Sequence, residues 1–194
     1  MISLLRNQYG QLCCFTGFFV LIGLIAIVLF VVSQQQQRIV IVFEQKSCLL
    51  DGTGFELQWM HSVERQQWVE VYELYNDRLL LTDTYFETFG AGVPSVSVSG
   101  SSIGERAHQS HLDKKYSGYI HYQVNQQLPY LNWMVSSNIK ATIVNQNHVL
   151  PIYQWVSGGY TNIYIAPRKM TIWAQLLQES CHDYTPNHTD RISD

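Results

Sequence analysis

The chain is 194 residues long, with 46% hydrophobic, 13% aromatic and only 14% charged residues, against a usual charged share of about a quarter. Twelve Tyr, eight Phe and five Trp supply more burial capacity than an intrinsically disordered composition offers. A formal net charge of −3 gives no basic field to neutralise phosphates, which argues against nucleic acid as a partner.

Much of the charge deficit is local, because no Asp, Glu, Lys or Arg lies between Arg6 and Arg38. Leu12 to Val32, with Phe19 and Leu24 inside it, is nearly unbroken apolar sequence. At ~1.5 Å per residue it reaches about 31 Å, enough to cross a hydrocarbon core of about 30 Å. A cleavable export signal is the competing reading, but its apolar stretch is usually only about 7–15 residues. An uncleaved single transmembrane anchor is therefore expected. Arg6 and the amino terminus before it, against Arg38 alone soon after it, favour the N-terminus inside and the remainder exported. The resulting organisation is 1–11 cytoplasmic, 12–32 transmembrane, 33–37 a polar tether, 38–180 one β domain and 181–194 a tail.

In chain order, Arg38 to Phe43 is β-branched and reads as a strand. A turn at Asp51 to Gly54 leads into Phe55 to Met60, where Phe55, Leu57 and Trp59 alternate with Glu56 and Gln58. Trp68 to Tyr75 alternates again, with Trp68, Glu70 and Tyr72 opposite Val69 and Val71. Asn76-Asp77 is a turn pair, and Arg78 to Phe86 completes a meander. The glycines of Phe89-Gly90-Ala91-Gly92-Val93-Pro94 and its proline interrupt the pattern. Further strands are expected at 118–124, 139–144, 148–153 and 160–165, which suggests a mainly β fold, an antiparallel sandwich or partial barrel. Met170 to Gln178 alone looks helical. It either caps the open end of the sheet or lies at the membrane surface with Trp173 as an anchor. Cys48 and Cys181 stand at the two ends of the domain, and in an oxidising compartment they could pair; two unpaired buried thiols are the alternative.

No catalytic, metal or cofactor site is expected from the motifs. His61, Ser62 and Glu64 resemble a base, nucleophile and orienter, but neighbours on a strand point to opposite faces. A polar hairpin rim, in which pairing across Arg65 to Gln67 gathers His61, Glu64, Trp68 and Glu70, is the better reading. Gly90 and Gly92 could cradle an anion, yet Pro94 and the Ser/Val alternation after it argue for extended chain rather than the helix a phosphate loop opens. His108, His111, His121 and His182 lack a second ligand pair at metal spacing and read as solvated, as does Lys114-Lys115. Asn187 opens a formal glycosylation sequon in the tail.

The order His61 to Glu64, then Trp68, Glu70 and Tyr72, then Phe89, Gly90, Gly92 and Pro94 resembles the family known as domain of unknown function 1850. The resemblance covers about residues 38–170, with its specific part about 40 residues long. Such proteins are associated with tripartite ATP-independent periplasmic (TRAP) transporters of the TAXI type. The resemblance implies a single-pass protein of the bacterial inner membrane with a periplasmic domain, an accessory subunit rather than an enzyme. Its partners would be the transporter's membrane subunit and its substrate-binding protein, and the quoted motif residues would form the docking surface. The residues themselves leave open a second function, a small-carboxylate binding or sensing module using Arg65, Arg78 or Arg168. A hydrolase is the third and weakest reading.

Overall fold

In a computed structural model of the chain, the N-terminal segment that holds most of the charge-free interval forms one helix, α1 (Ile2–Ser33). The structure describes residues 2–88, 112, 114–146, 148–155 and 159–184, with the side chains of α1 from Phe18 onward. No acidic or basic residue lies in α1 after Arg6. Large apolar side chains are exposed in an almost continuous run from Phe18 to Val31, Phe19 at 67%. Leu24 is exposed and Val32 is half-buried, whereas the side chain of Leu12 lies outside the described residues. Among the residues whose side chains are described, which in α1 begin at Phe18, no helix is long and apolar enough to cross a membrane. Two compact units are present: Met1–Gln36 with Lys169–Leu177, and Gln37–Arg168 with Gln178–Asp194.

The second unit is antiparallel β structure. Its strands are β1 (Gln35–Phe43), β2 (Lys46–Leu50), β3 (Gly54–Met60), β4 (Gln67–Tyr75), β5 (Arg78–Phe86), β6 (Ile120–Leu128), β7 (Leu131–Ser136), β8 (Thr142–Asn145), β9 (His148–Leu150) and β10 (Tyr160–Thr171). One sheet has the order β2-β1-β10-β7 and the other β6-β5-β4-β3-β8-β9. Both contribute to one core, with Ile39, Ile41, Leu50, Ile163 and Ile165 from the smaller sheet and Phe55, Leu57, Tyr72, Leu79 and Ile143 from the larger. The arrangement is that of a sandwich rather than a closed barrel.

Several boundaries differ from the sequence reading. Gln35 to Gln37 belong to β1 rather than to a tether. β2 and β7 were not expected: the first is five residues behind a tight turn, and the second carries Asn132 and no sustained alternation. The span 139–144 shortens to β8 because Lys140 takes a left-handed conformation, φ 47°, which breaks extension. After β9 the chain turns at Pro151 into a 3-10 turn, Ile152–Gln154, instead of continuing as strand. β10 runs through Met170, so the terminal helix, α2 (Ile172–Leu177), is only six residues long. Thr171 caps it by accepting the Ala174 N–H at 3.2 Å.

Two local features set the larger sheet. Asn76 and Asp77 take φ of 46° and 63°, the positive values a two-residue hairpin turn needs. Register then slips by one residue on β5, where Val71 pairs Asp83 and Tyr72 pairs Leu81. Thr82 is the extra residue, and its hydroxyl donates to the Val71 carbonyl at 3.3 Å. Because strand side chains alternate faces, this bulge lets Leu79, Leu81 and Phe86 face the same side while Asp83 and Tyr85, both buried, turn to the other face of the sheet.

Cys48 on β2 and Cys181 form a disulfide. Around it, Leu49 N–H donates to the Glu179 carbonyl at 2.8 Å and Cys181 N–H to the Leu49 carbonyl at 2.9 Å. The segment after α2 is thereby bound to the edge of β2, and Gln178 adds a bond to the Ser47 carbonyl at 2.8 Å.

Candidate functional site

His61 to Gln66 forms the turn between β3 and β4, closed by His61 N–H on the Gln66 carbonyl (2.9 Å) and Arg65 N–H on the His61 carbonyl (2.8 Å). Arg65 adopts φ 53° to close it. Gln66 is buried and organises the turn. Its amide N–H donates to the Glu64 carboxylate, while its carbonyl oxygen accepts both the N–H and the hydroxyl of Thr88 at 2.8 Å. The Glu64 N–H approaches His61 Nδ1 at 3.5 Å. Glu64 and His61 thus hold the turn itself. Ser62 is exposed and makes no hydrogen bond to His61 among the described residues; these two occupy a turn rather than the strand expected of them, and still do not meet as nucleophile and base. Val63, at the tip, is 76% exposed.

Beneath this rim lies a row of rings. His61 stacks on Trp68 (centroids 5.4 Å apart), Trp68 on Phe86 (5.2 Å) and Phe86 on Tyr122 (5.5 Å). The row crosses β4, β5 and β6 because Trp68 is registered opposite Phe86, a pairing that the Thr82 bulge makes possible. Trp59, the cross-strand partner of Trp68, lies 6.0 Å from it and 5.8 Å from Trp133 on β7. Aromatic pairs at such separations add about 0.5–1.5 kcal/mol each beyond area burial. Trp68 is 7% exposed, and its indole N–H is buried with no acceptor among the described residues.

Two positions further along β4, the Tyr72 hydroxyl donates to Glu70. Burial pushes the Glu70 carboxyl above the ordinary 4.5, and the Tyr72 bond offsets only part of that. Tyr72 is itself raised, by burial first and by the Glu70 charge second. The expected gathering of His61, Glu64, Trp68 and Glu70 is therefore only partial: His61 meets Trp68, Glu64 meets Gln66, and Glu70 meets Tyr72.

The opposite face of β3–β5 is covered too, by Leu112 and residues 114–119. Leu112 and Tyr116 pack on Val69, Val71 and Tyr85. Glu56, nearly buried, accepts from Lys115 Nζ at 2.7 Å, from the Tyr116 hydroxyl and from Gln58 at 3.1 Å. Burial, and then the Glu56 bond, raise Tyr116. His121 Nε2 lies 2.7 Å from Asp83 and stacks on Tyr85 at 4.4 Å. Lys115 and His121, read from sequence as solvated, are in fact partners of buried carboxylates. His182 is likewise packed, stacked on His148 at 4.1 Å and 3.2 Å from Asp51. No group of three or more His, Cys, Asp and Glu able to hold a metal occurs among the described residues.

Phe89, Gly90, Gly92, Pro94, His108, His111 and Asn187 lie outside the described residues. Arg65 and Arg78 are both exposed and stand at opposite ends of β4, about 30 Å apart at ~3.3 Å per strand residue. They do not converge on one anion. Sequence reasoning missed Gln66, Phe86, Tyr122 and Trp133. The even positions of β4 pointed toward the ring row, but its other members needed strand register to find.

The fold and this site define a two-sheet antiparallel β protein whose described motif residues build an aromatic-packed hairpin rim. Residues 55–152 match the family described as Domain of unknown function (DUF1850), and the chain belongs to that family. The match runs from β3 to the 3-10 turn after β9, narrower than the span of about 38–170 expected from sequence; it takes in the rim and leaves β1, β2 and β10 outside. No curated protein and no solved structure matches this chain.

Proposed function

We propose that this chain is a single-pass protein of the bacterial inner membrane, an accessory subunit of a TAXI-type TRAP transporter rather than an enzyme. Its periplasmic sandwich docks on the membrane subunit or the substrate-binding protein during carboxylate uptake. The observation that carries the reading is the exposed run of large apolar side chains from Phe18 to Val31, on a helix with no charged residue between Arg6 and its end. Water is a poor solvent for such a surface and lipid or a transporter helix a good one. The Cys48–Cys181 disulfide supports export to an oxidising compartment. The described motif residues, His61 to Tyr72, supply packing and shape, with no nucleophile beside its base among the described residues, which suits docking better than turnover. The separation of Arg65 from Arg78 weighs against a small-carboxylate pocket built on these two.

Co-purification tests the reading. The chain should remain with the transporter after solubilisation in a mild detergent that keeps the transporter intact. Complete separation under those conditions would remove the subunit assignment.

A further inference from the structure

α2 presents an apolar face with nothing packed over it among the described residues. Trp173, Leu176 and Leu177 are 59%, 72% and 72% exposed, and their spacing of three and four residues places them on one side of the helix. Ile172 and Ala174 are half-buried instead. The start of α2 is tied to the end of α1: the Ile172 N–H donates to the Gln34 carbonyl at 3.3 Å, one residue past Ser33. Both helices belong to the same compact unit.

We propose that α2 is an interfacial foot, in which Trp173, Leu176 and Leu177 enter the headgroup boundary of the bilayer that α1 crosses. The inference rests on the membrane reading of α1 and adds a second lipid contact to it. Four features select lipid as the occupant. If α1 spans the membrane, its end at Ser33 lies near the lipid–water boundary, and the bond from Ile172 to Gln34 fixes the start of α2 at that same level. With six residues, α2 is about 9 Å long, far too short to span and suited to lying in the interface. Trp is the residue type enriched at that depth, with an apolar body and a polar N–H. Arg168 and Lys169 precede α2 in sequence and suit anionic headgroups. Of the two roles open for this helix from sequence, the exposed face favours the membrane surface over a cap on the sheet.

The test uses the full chain reconstituted into phosphatidylcholine–phosphatidylglycerol vesicles carrying bromine at shallow or deep acyl positions. Trp173 emission is taken as the difference between the native chain and Trp173→Phe, a substitution at an exposed site. The foot predicts stronger quenching of that difference signal by shallow than by deep bromines, and protection from aqueous iodide. Flotation of the same vesicles separates the two readings. A chain that floats and resists carbonate extraction while Trp173 is quenched only by iodide keeps the anchor and overturns the foot. A chain that does not float overturns both.

Discussion

Glu70 is the residue whose chemistry is most exposed to experiment. Its carboxyl is raised by burial and partly relieved by Tyr72. An acid with a raised folded-state pKa keeps its proton longer in the folded than in the unfolded chain. Its contribution is fully present below the ordinary 4.5 and is lost as pH rises toward the raised value. Glu70→Gln should therefore flatten the stability–pH profile above 4.5 and leave the domain more stable than the native chain at pH 8. Tyr72→Phe should act the other way, because it strips a donor from a buried charge. A loss of about 1.5–3 kcal/mol is expected at pH 8, and a clearly smaller one at pH 4. Urea unfolding at the two pH values checks both; an equal loss for Tyr72→Phe at each would show that Glu70 is not ionised in the fold. From the sequence, the even face of β4 was legible because period two is a local property. The partners of Lys115 and His121 were not, since Glu56 and Asp83 lie 59 and 38 residues away and no local pattern encodes such pairing.

At the scale of elements, the β3–β4–β5 meander was readable and its consequences were not. Alternation marked the three strands, and Asn76-Asp77 marked the turn. The Thr82 bulge leaves no sign in composition, yet it decides that Phe86 joins the ring row and that Asp83 and Tyr85 face His121 and Tyr116. Strands β2 and β7 escaped notice because short strands without alternation gain their stability from neighbours rather than from intrinsic propensity. One glycine of the turn before β3 carries a strict requirement. A Cβ at Gly54 would lie 3.0 Å from the Tyr72 carbonyl oxygen, which is fixed in the β3–β4 ladder, and the Gly54 carbonyl accepts from buried Asn145 at 2.7 Å. Gly54→Ala should cost about 1–3 kcal/mol by forcing these backbones apart. Gly118→Ala should cost only the strain of its positive φ, about 1 kcal/mol, since nothing lies within 4 Å of its Cβ position. Thermal melts of the two variants compare the effects, and equal losses would refute the close-approach argument for Gly54.

Across the whole molecule, the disulfide joins residues 133 apart, binding the chain after α2 to β2. In the chain-entropy account, closing a loop of that size stabilises by about 4–5 kcal/mol. Cys48→Ala with Cys181→Ala should lower stability by up to about that amount, with the β domain folding poorly at 37 °C. The native chain should also change gel mobility on reduction; no mobility change and no stability loss would show the bridge to be unimportant. A mainly β sandwich behind an apolar helix was legible from periodicity and from charge distribution. The proposed docking role is not encoded in that way, because it would concern a surface whose partner lies outside the chain. It is tested most directly by placing a photo-crosslinking amino acid at Val63, the exposed tip of the hairpin rim, in cells that make the transporter, with Tyr75 at the far end of β4 as the comparison site. Crosslinks from position 63 to the transporter's membrane subunit or substrate-binding protein, and none from position 75, are the predicted result; crosslinks from position 63 to neither would contradict the docking role.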